Sequence, residues 1–173
     1  NGRCRIVFSE RPVYDVDIAT AQHICGNGRL CGDHFKYFCD GMGRMVAVIS
    51  DGMGTGGRAA VDGSMASSII AKLIKAGLGF DCALKVVNSA LMVKSGDESL
   101  ATLDVLSFDM FTGGIELMKA GAPMTFIRKG GKVFSIESPS LPVGILPNVE
   151  FSYSTEALLP GDIVVMLSDG AVA

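Results

Sequence analysis

The hydrophobic pattern changes its period twice along the chain, and this order limits the fold more than any other feature. In the first 50 residues, apolar and polar positions alternate as in half-buried strands, which predicts strands at 4–9, 13–24, 33–39 and 44–50. Helical spacing of apolar residues follows at 57–76 and 80–93. Strand-like runs then return, separated by Gly-rich turns, at 101–109, 114–119, 124–128, 132–136, 151–154 and 162–168.

Strands, then two helices, then strands joined by hairpin-length links indicate an antiparallel α+β fold rather than a doubly wound parallel sheet. Because 49% of the residues are apolar and 19% are charged, the chain can bury a sizeable core. No low-complexity linker divides it. We therefore predict a single domain over residues 1–173.

Charge and cysteine content exclude several classes of function. The net charge is -3, and no cluster of Lys and Arg provides a surface for nucleic acid. Five cysteines without a C-x-x-C pair favour a reducing, cytoplasmic location. The sequence begins at Asn1 without Met and stops at Ala173 just after an Asp-Gly turn signal, so we expect a piece of a longer protein.

The tetrapeptide Asp-Gly-Met-Gly occurs twice, in different settings. Residues 40–43 join two predicted strands, so this copy is expected to form a hairpin turn. The second copy, 51–54, follows the apolar run 45–49 and precedes a helix. Asp51 therefore stands at a strand end, where glycine lets the backbone approach a ligand closely. The second copy is the candidate active centre.

Four acidic residues stand near strand ends close to glycine: Asp33, Asp51, Asp104 and Asp169. Hard divalent cations bind carboxylate, carbonyl and water oxygens, and a pair of ions needs a bridging carboxylate with an acid on either side. Asp51 could bridge such a pair while the Gly52 carbonyl adds a ligand. An Asp-Gly pair taken alone more often marks a plain turn, so spacing does not settle the point.

The same loop supports a different hypothesis. Residues 52–57 contain G-x-G-x-x-G between a strand and a helix, the pattern of dinucleotide-binding loops. Three observations weaken this interpretation. Asp51 would face the pyrophosphate, no acid follows about twenty residues later to hold the ribose, and the downstream strands lack crossover helices.

Several motifs together carry a family resemblance. They are Gly32-Asp33, the block from Ile49 to Ala59, Ser99 to Asp104, Leu141 to Ile145, and Gly161-Asp162-Ile163 with Leu167 to Gly170. In this order and spacing they resemble the stage II sporulation protein E family, a bacterial branch of the metal-dependent protein phosphatase 2C superfamily. The resemblance covers roughly residues 30–173.

The resemblance implies a four-layer αββα sandwich with a manganese or magnesium centre at one end. It implies hydrolysis of a phosphoserine or phosphothreonine ester on a protein, such as an anti-sigma-factor antagonist, in sporulation or sigma-factor control. It also implies a cytoplasmic domain of a membrane-anchored parent, with the helices at 57–76 and 80–93 as a homodimer surface.

Carried over by position, the resemblance makes Asp51 the bridging ligand, Gly52 the carbonyl ligand and Asp169 a ligand of the first metal, with Asp51 and Asp169 as the catalytic residues. Asp33 resembles the acid that supports the second metal, directly or through water. For Thr102 a place in a core strand and for Asp104 a supporting or turn position are expected ahead of direct metal ligation, and for Lys119 a place on the surface rather than a contact with phosphate. The superfamily's last metal-binding Asp lies beyond Ala173, so we expect an incomplete domain that lacks this ligand and the closing strands.

That expectation leaves a second class of function open. A phosphatase-like module could bind a partner without catalysis, through the apolar helices. Dinucleotide binding is the third hypothesis.

Overall fold

In the computed structural model, residues 4–6, 8, 10–23, 31–54, 56–94, 99–137 and 139–171 are described. Two helices and eight strands follow one another in them: β1 (Asp33–Cys39), β2 (Arg44–Asp51), α1 (Gly57–Lys75), α2 (Phe80–Lys94), β3 (Leu103–Asp109), β4 (Gly114–Ala120), β5 (Thr125–Lys129), β6 (Lys132–Ile136), β7 (Ser152–Ala157) and β8 (Ile163–Val165). A short 3-10 turn follows at Asp169–Ala171.

The strands form two antiparallel sheets. The larger has the order β1-β2-β3-β4-β7 and the smaller the order β6-β5-β8. Every paired strand is antiparallel to its neighbour within the described ranges. The predicted α+β class with two antiparallel sheets is therefore confirmed. A dinucleotide site needs a parallel βαβ unit, and the described residues contain none.

The larger sheet is buried on both faces. Val46 and Val48 of β2 pack toward Ile70 of α1 and Leu84 of α2, in a cluster between the sheet and the helices. The alternate residues face the smaller sheet and form a second cluster, which we call the inner cluster. Its buried members are Met45, Ala47, Leu106, Phe108, Ile115, Leu117 and Ile127. The layers are thus helices, large sheet and small sheet.

The strand predicted at 13–24 is wrong over its described part, 13–23, which adopts no strand. Tyr14, Val16 and Ile18 do pack against the inner cluster, as their alternation requires. The backbone N–H groups of Val13 and Tyr14, however, both donate to the Met110 carbonyl, and no described strand pairs with this segment. Alternation of apolar and polar residues indicates which side of an extended segment is buried, but it does not show whether the segment pairs with a strand.

Further strands differ from prediction: the one predicted at 151–154 spans Ser152–Ala157, and the one predicted at 101–109 begins at Leu103. Residues 4–6 and 8 of the predicted strand 4–9 are not in a strand, while residues 7, 9 and 24 lie outside the described part. The strand predicted at 162–168 covers only Ile163–Val165. Over the described ranges, neither α1 nor α2 is long and apolar enough to span a bilayer.

Candidate metal centre

Asp33 and Asp51 stand opposite each other at one end of the large sheet. β1 and β2 pair so that Asp33 is the register partner of Asp51. Both carboxylates lie on the face of the inner cluster, because Asp51 is four and six residues beyond Ala47 and Met45. The hairpin register therefore brings two of the predicted ligands together.

Asp169 reaches the same place from the small sheet. It opens the 3-10 turn that follows β8, and the preceding Ser168 donates its hydroxyl hydrogen to Asp33 Oδ2 at 2.9 Å. Asp169 is exposed, whereas Asp33 and Asp51 are half-buried. Three carboxylates from β1, β2 and the segment after β8 are thus neighbours at the edge of the space between the sheets.

The pKa of Asp51 is raised because its carboxyl group is partly buried and the three carboxylates lie close together. Burial raises it first, and the negative charges and hydrogen-bonding contacts of Asp33 and Asp169 raise it further, from 3.8 to about 7. Like charges held together in a partly desolvated place disfavour ionisation. The energetic conflict is the kind that a bound cation relieves.

Three glycines shape the backbone around Asp51. A Cβ at Gly32 would lie 2.8 Å from Asp51 Oδ1 and 3.0 Å from the Gly52 carbonyl oxygen, so any side chain there would fill the space beside both oxygens. A Cβ at Gly52 would lie 1.8 Å from the Ala59 carbonyl oxygen of α1. One at Gly63 would lie 2.3 Å from the Gly32 carbonyl oxygen. These positions require glycine because backbone packs on backbone.

The residues present fit a hydrated hard cation. Within the described ranges, no three Asp, Glu, His or Cys side chains are already arranged to hold an ion among themselves. Mg²⁺, however, commonly keeps several waters and takes only one or two protein carboxylates. Two facing carboxylates, a third nearby and a space kept open by Gly32 beside the Gly52 carbonyl meet that requirement.

Thr102 supports Asp51 directly. Its Oγ1 accepts a hydrogen bond from the Asp51 N–H at 3.2 Å, and its own N–H donates to the Asp51 carbonyl at 2.8 Å. Thr102, expected in a core strand, is half-buried and lies just before β3. Ala101 then bridges to both Gly52 and Val143, which fixes the loop after Asp51 to the body of the fold.

The expectation of a surface Lys119 is wrong. Its side chain is 2% exposed and donates to Asp104 Oδ2 at 2.5 Å and to the Pro123 carbonyl at 2.7 Å. A signal was present in the sequence. If the turn between β3 and β4 is centred on residues 110–113, strand pairing places Asp104 opposite Lys119, as the structure shows.

The first Asp-Gly-Met-Gly copy forms the predicted turn between β1 and β2. Asp40 Oδ1 accepts hydrogen bonds from the N–H groups of Met42 and Arg44, and Asp40 Oδ2 accepts one from Arg44 Nε at 2.7 Å. Both oxygens of the Asp40 carboxylate thus accept hydrogen bonds from within the turn. This copy lies at the opposite end of β2 from Asp51.

Comparison with known proteins identifies the family of the chain. The sequence profile of the family described as Stage II sporulation protein E (SpoIIE) matches residues 41–173. Stage II sporulation protein E of Bacillus subtilis (strain 168) is 31% identical over 170 residues, which are 98% of this chain and 21% of that protein. The chain thus spans about a fifth of that relative's length.

Solved structures share the fold. The PP2C phosphatase domain and a fragment of the regulatory domain of SpoIIE from Bacillus subtilis superpose with a TM-score of 0.72 at 33% identity, covering 83% of this chain and 41% of that chain. RsbX in complex with magnesium gives a TM-score of 0.70 at 17% identity, with 83% and 69% covered, a likeness of fold alone. The chain belongs to the stage II sporulation protein E family and has the fold of its PP2C-type phosphatase domain.

Proposed function

We propose that the chain supplies the metal-binding face of a metal-dependent protein serine/threonine phosphatase. The single observation that carries the proposal is the convergence of Asp33, Asp51 and Asp169 beside the Gly52 carbonyl. We further propose that residues 1–173 belong to one such domain, because the segment 10–23 packs on the inner cluster that both sheets share.

In this proposal Asp51 would be the ligand shared by two ions, Gly52 would offer its carbonyl oxygen, and Asp169 would be a ligand of the first ion. Asp33 would hold the second ion directly or through water, and the Ser168 hydroxyl orients the Asp33 carboxylate. When bound, Mn²⁺ or Mg²⁺ would lower the pKa of a water ligand and neutralise phosphate charge. Thr102 fixes the Asp51 backbone at both its N–H and its carbonyl, so the main chain that carries the carboxylate is held in place.

The proposed substrate is a phosphoserine or phosphothreonine on a protein such as an anti-sigma-factor antagonist, in sporulation or sigma-factor control. Membership of the sporulation family supports this choice. The centre lies at the edge of the two sheets with Asp169 exposed, so a side chain that projects from another protein can reach it.

The test compares the two Asp-Gly-Met-Gly copies. In the complete gene product with Mn²⁺, Asp51→Asn should lower the turnover of a phosphoserine protein by about 100-fold or more, because even residues that only support ligands contribute about 10–100-fold. Asp40→Asn makes the same chemical change in the turn and should leave turnover unchanged. Equal turnover in the wild type and the Asp51 variant would refute the proposal.

A second function, a partner-binding module without catalysis, is favoured by apolar residues on the outer side of the helices. Val61 of α1 is 53% exposed and Val93 of α2 is 87% exposed. The same residues suit the predicted homodimer. Binding of the phosphoprotein without any Mn²⁺-dependent turnover in the complete gene product would favour this second function.

A further inference from the structure

A buried polar cluster connects the two sheets behind the candidate metal centre. Lys119 of β4 donates to Asp104 Oδ2 of β3, and the Thr125 hydroxyl of β5 donates to the same oxygen at 3.0 Å. The side chains of Asp104 and Lys119 are 1% and 2% exposed. Charged groups are rarely buried this deeply unless their hydrogen bonds are complete.

The hydrogen bonds of Asp104 are incomplete. Its Oδ1 is buried and has no hydrogen-bond partner among the described residues, although Oδ2 has two donors. Burial raises the pKa of this carboxyl, and Lys119 acts against that rise. A buried carboxylate oxygen without a donor costs free energy, so native structures supply one, often an ordered water.

The cluster occupies the same face as the metal-binding carboxylates. Asp104 is the register partner of Ile49, and Asp51 is the next residue of β2 on that face, about 7 Å further along the strand. Thr102 lies two residues before Asp104, just ahead of β3, and holds the Asp51 backbone. Asp104 therefore lies on the same face of the sheet as Asp51, one row of side chains further from the strand end.

We propose that Asp104 is a positioning residue for the metal centre, whose Oδ1 accepts a hydrogen bond from an ordered water that lies between the Asp104–Lys119 pair and Asp51. Lys119 holds Asp104 in place through Oδ2 and is itself held by the Pro123 carbonyl, which leaves Oδ1 for the water. This inference rests on the proposed function, because it assigns a supporting group to the proposed metal site.

A purely structural role for the pair predicts a different outcome. A buried ion pair can often be replaced by apolar residues of similar shape with little loss of stability, or with a gain. The double variant Asp104→Leu, Lys119→Met makes that replacement and leaves the net charge unchanged. Any loss of cation affinity in this variant would then reflect the lost acceptor rather than long-range charge.

The experiment titrates the complete gene product with Mn²⁺ alone, without substrate, and measures binding by calorimetry. The double variant should remain folded in EDTA, as thermal denaturation reports, and should lose about tenfold or more in Mn²⁺ affinity, the usual effect of removing a group that supports metal ligands. Thr125→Val is the matched control. It removes one donor to Oδ2 but keeps Oδ1 and the ion pair, so its affinity should equal that of the wild type.

Two results would overturn the inference while leaving the proposed function intact. One is an unchanged Mn²⁺ affinity in a folded double variant. The other is a crystal structure of the wild type in which a protein group, rather than water, donates to Asp104 Oδ1. Wild-type protein that binds no Mn²⁺ would instead refute the proposed function and the inference with it. If the double variant fails to fold, the crystal structure decides alone.

Discussion

Asp40 and Asp51 each begin a copy of Asp-Gly-Met-Gly, but their surroundings differ. Asp40 accepts hydrogen bonds from Met42 and Arg44 in a tight turn, and its negative charge is matched by Arg44. Asp51 has carboxylates for neighbours instead. Burial acts to raise the pKa of Asp40, but the hydrogen bonds and the positive charge of Arg44 lower it overall. The two aspartates thus have pKa values shifted in opposite directions.

We predict that Asp40→Asn lowers the free energy of unfolding by about 1 kcal/mol at pH 7, because hydrogen bonds to the charged carboxylate are lost. The folded-state pKa of Asp40 lies below its ordinary 3.8, so its stabilisation is present above pH 3.8 and is lost as the pH falls through the lowered value. Urea denaturation at pH 7 and at about pH 3 measures this.

Asp17→Asn is the control, since Asp17 lies on the exposed side of the segment 13–23. It changes the charge equally but should leave stability unchanged at both pH values. A difference between Asp40→Asn and the wild type that grows toward acid pH would contradict the role given to this turn.

The contact between α1 and the strand end depends on glycine. Gly63 lies on the buried side of α1, and its missing side chain lets the helix touch the backbone at Gly32 and Gly52. The N–H of Gly52 donates to the Gly32 carbonyl at 3.2 Å in the same place. The helix, the loop before β1 and the end of β2 therefore pack as three backbones without side chains between them.

We predict that Gly63→Ala destabilises the fold by about 1–3 kcal/mol through overpacking. The added Cβ would lie 2.3 Å from the Gly32 carbonyl oxygen and 3.1 Å from His34 Cδ2. Helix propensity alone would favour Ala over Gly by about 1 kcal/mol, so the sign of the measured change separates the two effects. Thermal denaturation supplies the measurement, and stabilisation by Gly63→Ala would refute the close packing.

Val61→Ala serves as the control in the same helix. Val61 is 53% exposed, so its replacement tests helix propensity without the buried contact. It should change stability little and in the opposite direction.

The two sheets are held together by the inner cluster, and this contact positions Asp169. Ile127 of β5 is fully buried between the sheets, in contact with the cluster that includes Leu106 and Leu117 of the large sheet. β8, which leads to Asp169, pairs with β5. The place of Asp169 beside Asp51 thus depends on packing between sheets rather than on a strand register.

We predict that Ile127→Ala costs about 2–5 kcal/mol, because it leaves a cavity in this cluster. Val133→Ala on the neighbouring strand β6 is the control, since Val133 is 64% exposed and should contribute little. Urea denaturation of both variants measures the difference. Equal stabilities would mean that the two sheets do not share a core.

Local signals were sufficient for most elements. The 3.6-residue period placed both helices within two residues of their observed ends, and the turn chemistry placed the hairpins of the larger and smaller sheets. The strand predicted over 13–23 does not form, because alternation does not specify a pairing partner. Lys119 is buried rather than on the surface, because it pairs with Asp104, 15 residues away, and contacts the Pro123 carbonyl.

The α+β class, the turn at 40–43 and the aspartates at strand ends can all be predicted without coordinates, because they follow from periodicity and from residue chemistry within a few positions. Which of these aspartates meet depends on strand register and on the packing of the two sheets. Asp33 reaches Asp51 through the β1–β2 register, Asp169 arrives by packing of the second sheet, and Asp104 is turned inward against Lys119. The two hairpin registers follow from short turns, whereas the approach of Asp169 depends on how the two sheets pack, which no local pattern encodes.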